Sequence, residues 1–512
     1  MDSLDVSIGR LRTVNAHPGD RPGPLRLAYV SHCLNPHDLT ASRVGGAERV
    51  AAELLVALKD QPGVIVTPVI ARAASNRLRF LTYSAGAVAT LRRLARAGAI
   101  DAVLHTGLPT AWMSVLLAGE FRRRHVVSGA IAHGHDVIMD FAPYQGLVRR
   151  MFADLDAVMA VSQATGAACL QRGLDPRRMH VTPNSVDAAR FAPAPPMEDR
   201  RAILRAAFPA EAAALAADGQ VICCVGRQVP RKGHAWFVRE VVPMLPEAVQ
   251  FWLAGDGAQA GAIDAAAREA GVTDRVHRLG KLSEPRLAAL YRGADLFVMP
   301  NVPIAGDMEG FGLVMLEANA NGLPVVASRL EGVEEVVTGG LNGVLARAGD
   351  AGDFAGRILQ LLTTPALRAR LGRQAEAYAR NGVGWAGVAR AQVGILRAAG
   401  RARAQLLSES AMTPQKPMTT LEDFMSHVIT VAPRDGGWTM RSGAAEPVYF
   451  ASGAEAEWCA RKLGEAMAEA GAAADVHIML RDGGLAGRFL FQPAGGGRDA
   501  GVPDRPAARQ YA

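Results

Sequence analysis

Cysteine is scarce in this chain of 512 residues: Cys33, Cys169, Cys223, Cys224 and Cys459 are odd in number and scattered, and none belongs to a CxxC pair. That excludes a disulfide framework and fits buried thiols in a reducing compartment. Aromatic residues make up only 5% of the sequence, too few for the stacking platforms of single-strand binders, so no nucleic-acid partner is expected. No run approaches the ~18 apolar residues of a membrane span. The opening stretch MDSLDVSIGRLRTVNAHPGDRPGPLR places acids and arginines where a signal peptide needs an unbroken apolar segment. The expected location is therefore cytoplasmic. Low-complexity sequence is nearly missing before residue 400, and a composition of 49% hydrophobic and 21% charged residues describes a globular protein too long for one ordinary core. A formal charge of +7 points to an anionic partner, with nucleotide phosphates or anionic lipid ahead of nucleic acid.

After a flexible stretch over 1–24, short Val/Ile/Leu/Ala runs alternate with longer amphipathic stretches from LRLAYVSH onward. This is the rhythm of βα units around a parallel sheet. A second series begins at QVICCVGRQ, beyond a charged, Ala-rich connector. The expectation is α/β architecture: Rossmann-like domains over 25–195 and 196–400 facing a cleft, the second ending in helices. The Ser/Thr/Pro/Gln composition of LSESAMTPQKPMTT reads as a linker over 401–424. A small α+β module is expected over 425–493 and a disordered tail over 494–512.

Open α/β sheets bind ligands beyond the carboxyl ends of their strands, so the loops there are the place to look. In VICCVGRQVPRKGH an apolar strand ends at Gly226, and the loop then supplies Arg227, Arg231 and Lys232 before Gly233 opens a helix. A diphosphate would suit it, since glycine lets the backbone approach and cations add charge-assisted hydrogen bonds. A solvated basic turn is the competing reading. Gly255, Gly257 and Gly261 in LAGDGAQAG are spaced GxGxxxG, which departs from a dinucleotide fingerprint and reads better as a tight turn beside a nucleotide. In GDMEGFGLVMLEANANGLP, a helix starting just after Glu309 would put Glu309 and Glu317 roughly 12 Å apart. That separation is too long for a shared proton. It suits two anchors on a nucleotide sugar, Glu309 at the hexose and Glu317 at the ribose, with the amides of Gly310, Phe311 and Gly312 aimed at the phosphates. The alternative is that Glu317 merely solvates an amphipathic helix.

Taken in order, the basic Gly loop, GDG, RLGKLSEPRLAALYRGADLFVMPN, EGFGLVMLEANANGLPVVAS and GVEEVVTGGLNGVLARAGD closely resemble glycosyltransferase family 4, retaining enzymes with the GT-B fold. The resemblance covers about residues 25–395. It implies a hexosyltransferase of cell-envelope, polysaccharide or glycolipid biosynthesis, acting on a nucleoside-diphosphate sugar and a hydroxyl acceptor without cofactor or metal. It further implies that Arg227 and Lys232 neutralise the donor diphosphate, that Glu309 contacts the transferred sugar and Glu317 the ribose, and that Gly280 lies beside the base. SRVGGAERVAAELLVAL looks like the family's glycine loop, where Gly45 and Gly46 bring backbone close to donor or acceptor. In GAIAHGHD, His133 is favoured over His135 as the histidine near the reacting sugar, because it ends the apolar run and precedes glycine. Ser162, Asn184, Asp187 and Phe191 match family markers read as hinge and scaffold.

Asp154 and Asp156 form a D-x-D, the metal signature of the other large glycosyltransferase fold, but they precede a strand as an ordinary family segment does. The basic stretches TLRRLARAG and EFRRRH could rest on anionic membrane, or be solvated faces. The rival functions are a catalytically degenerate nucleotide-sugar-binding partner and another GT-B enzyme, a phosphorylase or an epimerase. The last module resembles a small bacterial domain of unknown function, with Trp438 of VAPRDGGWTMR as an aromatic anchor.

Overall fold

Runs rich in Val, Ile, Leu and Ala, bounded by glycine and polar residues, become strands, and the central ones are covered on both faces, as parallel sheets require. The structure is a computed structural model and describes residues 23–32, 46–70, 77–188, 191, 193–196, 199–216, 218–412, 427–434, 437–442, 447–450, 452–469, 474–481 and 484–492. In the first lobe, β1 (Leu25–Ser31), β2 (Val64–Ile70), β3 (Ala102–His105), β4 (Val127–Ala132), β5 (Ala157–Ala160) and β6 (Met179–Val181) form a sheet of order β2-β1-β3-β4-β5-β6. All of its pairs are parallel.

The second lobe repeats the plan. Strands β7 (Gln220–Val225), β8 (Val249–Ala254), β9 (Val276–Gly280), β10 (Leu296–Met299), β11 (Val325–Arg329) and β12 (Gly343–Arg347) take the order β12-β11-β10-β7-β8-β9, again all parallel. Every residue of β8 is buried, and its Trp252 satisfies the one polar atom of its indole by donating to Gln250 Oε1 at 3.0 Å. In each sheet the chain moves outward and then returns to the other side of its first strand. The resulting crevices, β1/β3 and β7/β10, are the switch points where such sheets bind ligands.

The helix Gly384–Met412 returns to the first lobe. Arg397 donates to the Gly63 carbonyl at 3.1 Å, and Arg403 to the Val126 carbonyl at 3.1 Å and to Asp156 at 3.2 Å. This helix runs twelve residues into the stretch read as a linker from 401. Its Arg/Ala/Leu content sustains the helix, and the Ser-rich composition misled the reading. Residues 413–426 lie outside the described residues.

The second compact unit, from Ala411 onward, has five strands among its described residues. They are β13 (His427–Arg434), β14 (Gly437–Ser442), β15 (Val448–Phe450), β16 (Ala474–Met479) and β17 (Leu485–Phe491), in the order β15-β14-β13-β16-β17. The helix Gly453–Glu469 packs with Ile429, Val431, Val476 and Ile478. Trp438 lies against Gly453, where a Cβ would come within 2.6 Å of its ring. It is the anchor the sequence indicated.

Candidate functional site

The loop after β7 and the loop after β10 flank the second switch point. Lys232 and Glu309 meet there, with Nζ to Oε2 at 2.7 Å and both side chains about nine-tenths buried. Arg231 reaches Glu309 at 3.5 Å and Asp307 at 3.7 Å, and Asn301 Nδ2 donates to Glu309 at 3.1 Å. Arg227, by contrast, is exposed on the same loop. Arg231, not Arg227, joins Lys232 at Glu309. Below the loop, His234 Nε2 lies 3.3 Å from Cys224 Sγ. Burial, reinforced by Lys232, pushes His234 down to about 3, so a neutral ring underlies the cations.

Gly255 and Gly257 lie close against this loop. A Cβ on Gly255 would come within 2.1 Å of the Gly226 carbonyl oxygen, and one on Gly257 within 2.4 Å of that of Gln228. Their closest approach is to the neighbouring loop, which they hold in place. Gly280 accepts from the Gly255 amide at 2.7 Å.

Burial raises the Glu309 carboxyl, but the charges of Lys232 and Arg231 and the hydrogen bonds from Lys232 and Asn301 outweigh it and hold the group below the ordinary carboxylate range. A folded-state value below the unfolded one adds stability at neutral pH, which is lost as pH falls through the folded value. Thermal melting of the Glu309→Gln variant is therefore expected to fall below wild type at pH 7, with the gap closing below pH ~4.

Glu309 to Gly312 is loop, and the helix begins only at Leu313, after Gly312 in a left-handed conformation (φ 83°). The two glutamates therefore do not lie along one helix, and the 12 Å spacing estimate does not apply. The Phe311 side chain packs in the core shared by the lobes. Glu317 is no solvated helix residue, being 3% exposed. Tyr291 Oη donates to its Oε2 at 2.9 Å, and Arg49 of the first lobe pairs with its Oε1.

From the first lobe, β4 delivers His133 to the interface. Its ring Nε2 donates to the Thr106 carbonyl at 2.8 Å, which fixes the tautomer and leaves Nδ1 as an acceptor. Its amide donates to Asp136 Oδ1 at 2.8 Å. His133 and Gly310 are in backbone contact: a Cβ on Gly310 would lie 1.9 Å from the His133 carbonyl oxygen. His135 turns instead to Asp307, at 3.2 Å. Gly45 lies outside the described residues, and Gly46 is the first residue of the helix Gly46–Lys59. His32, at the end of β1, was not singled out from the sequence. Burial lowers its pKa, against Glu48 and Asp136, with His133 adding to the lowering.

Other sequence candidates are structural. Ser162 caps the helix Gln163–Leu170, accepting from the Thr165 amide, and the Phe191 carbonyl accepts from Arg380. Asp154 pairs with Arg150 at 3.1 Å and Arg122 at 3.7 Å, while Asp156 accepts from Ser128 and Arg403. Arg96, Arg123 and Arg124 gather on Glu120 at 3.4 Å. These arginines close the helices Arg77–Arg96 and Leu108–Arg124, whose last turns lie at the amino ends of the strands, away from the switch points. Helix-dipole complementarity favours arginine there. Among the described residues no helix is long and apolar enough to cross a membrane.

A model described as Glycosyltransferase Family 4 matches residues 44–190, and one described as Glycosyl transferases group 1 matches residues 219–364. The GDP-mannose-dependent alpha-(1-6)-phosphatidylinositol monomannoside mannosyltransferase of Mycolicibacterium smegmatis is 30% identical over 289 residues, 54% of this chain and 73% of that one. The D-inositol 3-phosphate glycosyltransferase 2 of Catenulispora acidiphila is 34% identical over 230 residues, 43% of this chain and 50% of its own. The chain thus spans about half the length of the second relative. In fold, it resembles the sucrose-phosphate synthase of Thermosynechococcus elongatus (TM-score 0.58, 21% identity, 75% of this chain and all of that one). It also resembles Anabaena HepE in complex with UDP-glucose (TM-score 0.54, 19% identity, the same coverage).

Proposed function

Because the chain belongs to glycosyltransferase family 4, we propose that it moves a hexose from a nucleoside-diphosphate sugar to a hydroxyl acceptor with the anomeric configuration kept, GDP-mannose being the first donor to test. The observation that carries this reading is the buried Lys232–Glu309 pair at 2.7 Å, set at the switch point of the second sheet, with the backbone of His133 packed across the interface against the adjoining Gly310. Lys232 and Arg231, with Arg227 at the rim, stabilise the departing diphosphate as the anomeric C–O bond breaks and its electron pair goes to the phosphate oxygen. The acceptor oxygen forms the new bond to the same carbon, and its proton passes to that phosphate. Glu309 orients the transferred sugar, Glu317 the ribose, and the free Nδ1 of His133 accepts a hydroxyl hydrogen at the reacting end. The amides of Gly310, Phe311 and Gly312 and the loops at Gly226, Gly255, Gly257 and Gly280 complete the donor cradle.

The names of the relatives favour an acceptor bearing an inositol phosphate, free or in a lipid. In the lipid case the protein would act peripherally at an anionic membrane face. Retention on phosphatidylinositol vesicles but not on neutral ones tests that contact.

The direct experiment is a thermal-protection screen of GDP-, UDP- and ADP-sugars, followed by product analysis with and without chelator. Protection by one donor, with transfer unaffected by chelator, is expected. Protection without turnover would leave a binding protein and overturn the enzymatic reading. His133→Ala is expected to lose about two powers of ten in kcat and His135→Ala much less. Full activity in the first would remove His133 from the site.

A further inference from the structure

Arg49, in the first turn of the helix Gly46–Lys59, reaches from the first lobe onto carboxylates of the second, and neither family resemblance nor proposed chemistry gives it a task. Its side chain is 16% exposed and forks between two carboxylates of the other lobe, Nη1 to Glu317 Oε1 and Nη2 to Glu284 Oε1. Glu284 begins the helix Glu284–Gly293, which also carries Tyr291, and Tyr291 Oη occupies the second oxygen of Glu317 at 2.9 Å. Both oxygens of Glu317 therefore already hold a donor from this chain.

A carboxylate this deeply buried, 4% exposed at the side chain, cannot give up its cation without a replacement, because an uncompensated buried charge is strongly unfavourable. A vicinal diol replaces the lost hydrogen bonds by donating two hydroxyl hydrogens to the same carboxylate, and Arg49, held nearby by Glu284, still offsets the charge. A deoxy sugar or a bare diphosphate offers no such pair of hydroxyls. We propose that Arg49 is a built-in competitor at the donor site, which sits on Glu317 until a ribose 2′,3′-diol displaces it and so weakens the affinity for ribonucleoside diphosphates. This rests on Glu317 being the ribose anchor, as proposed above. Arg49 keeps its hold on Glu284 when released, so it stays beside the ligand. The competing contact lowers the apparent affinity of a nucleotide that must engage Glu317 to the extent that Arg49 holds that carboxylate, and leaves an analogue without the diol unaffected.

The test uses the full chain and calorimetric titration with GDP, UDP and ADP and with their 2′,3′-dideoxy analogues. Arg49→Met is expected to bind the cognate nucleotide on the order of tenfold more tightly than wild type, with its dideoxy analogue unchanged, and Arg49→Lys should fall between. Weaker binding in Arg49→Met, or an equal gain for both ligands, overturns the proposal. Should Arg49→Met fail to fold, Arg49→Lys alone decides by the same comparison. Glu335→Gln is the control for loosened lobes, since Glu335 accepts across the interface from the amides of Gln163 and Ala164 at 2.7 and 3.0 Å and does not touch Glu317. An equal gain there also overturns the proposal. Glu317→Gln separates the two ideas. If it weakens binding while Arg49→Met gains nothing, only the displacement fails; if it leaves binding at the wild-type level, the ribose anchor itself is wrong.

Discussion

Lys232→Ala is expected to lower kcat by about two to three powers of ten, the cost of removing one preorganised donor from the place where negative charge develops. The same substitution strips the nearest cation from Glu309, which Lys232 contacts at 2.7 Å, and leaves that buried carboxylate to Arg231 and Asn301. A stability loss of about 3 kcal/mol should accompany the loss of rate. The two effects are separable: Lys232→Met with Glu309→Gln removes both charges, so melting should recover toward wild type while turnover does not. Recovery of both would mean that the pair serves the fold alone. Full turnover in Lys232→Ala would place the diphosphate elsewhere.

Gly310→Ala is the second large expectation, and its cause is geometric. The added methyl would lie 1.9 Å from the His133 carbonyl oxygen, while Gly332 presses on the same loop, its own Cβ position being 2.4 Å from the Gly310 carbonyl oxygen. Neither neighbour is a flexible side-chain tip, so the loop and β4 must part. A displacement of about 1 Å at a reacting centre costs on the order of a hundredfold in rate. Turnover should fall by at least that much while circular dichroism and the core of each lobe stay as in wild type, and X-ray scattering should show the lobes further apart. Unaltered kinetics would show that this contact is not part of the working closure.

Much of this was legible in the sequence, and what was not has a common cause. The strands announced themselves as apolar runs ended by glycine, because both faces of a parallel sheet are covered; VICCVG and FWLAGDG could hardly be anything else. Lys232 and Glu309 stood out as candidates because loops after such strands are where ligands bind, and the structure brings the two together. Arg49 was not, since its partner Glu317 lies 268 positions away and only the approach of two lobes joins them. Arg231 and Arg227 look alike as letters, and only the turn over Pro230–Lys232 decides which faces Glu309. The late helix start at Leu313 follows from the left-handed Gly312, a choice glycine permits but does not advertise.

The chain finishes the strands of its first lobe at Val181 but supplies Leu396, which packs into the shared core, only within the segment Gly384–Met412. On the ribosome that lobe must wait, partly bare, until nearly the whole second lobe has emerged. Its maturation is tied to the emergence of that helix, and premature termination anywhere before Gly384 would release an aggregation-prone intermediate in place of a usable half.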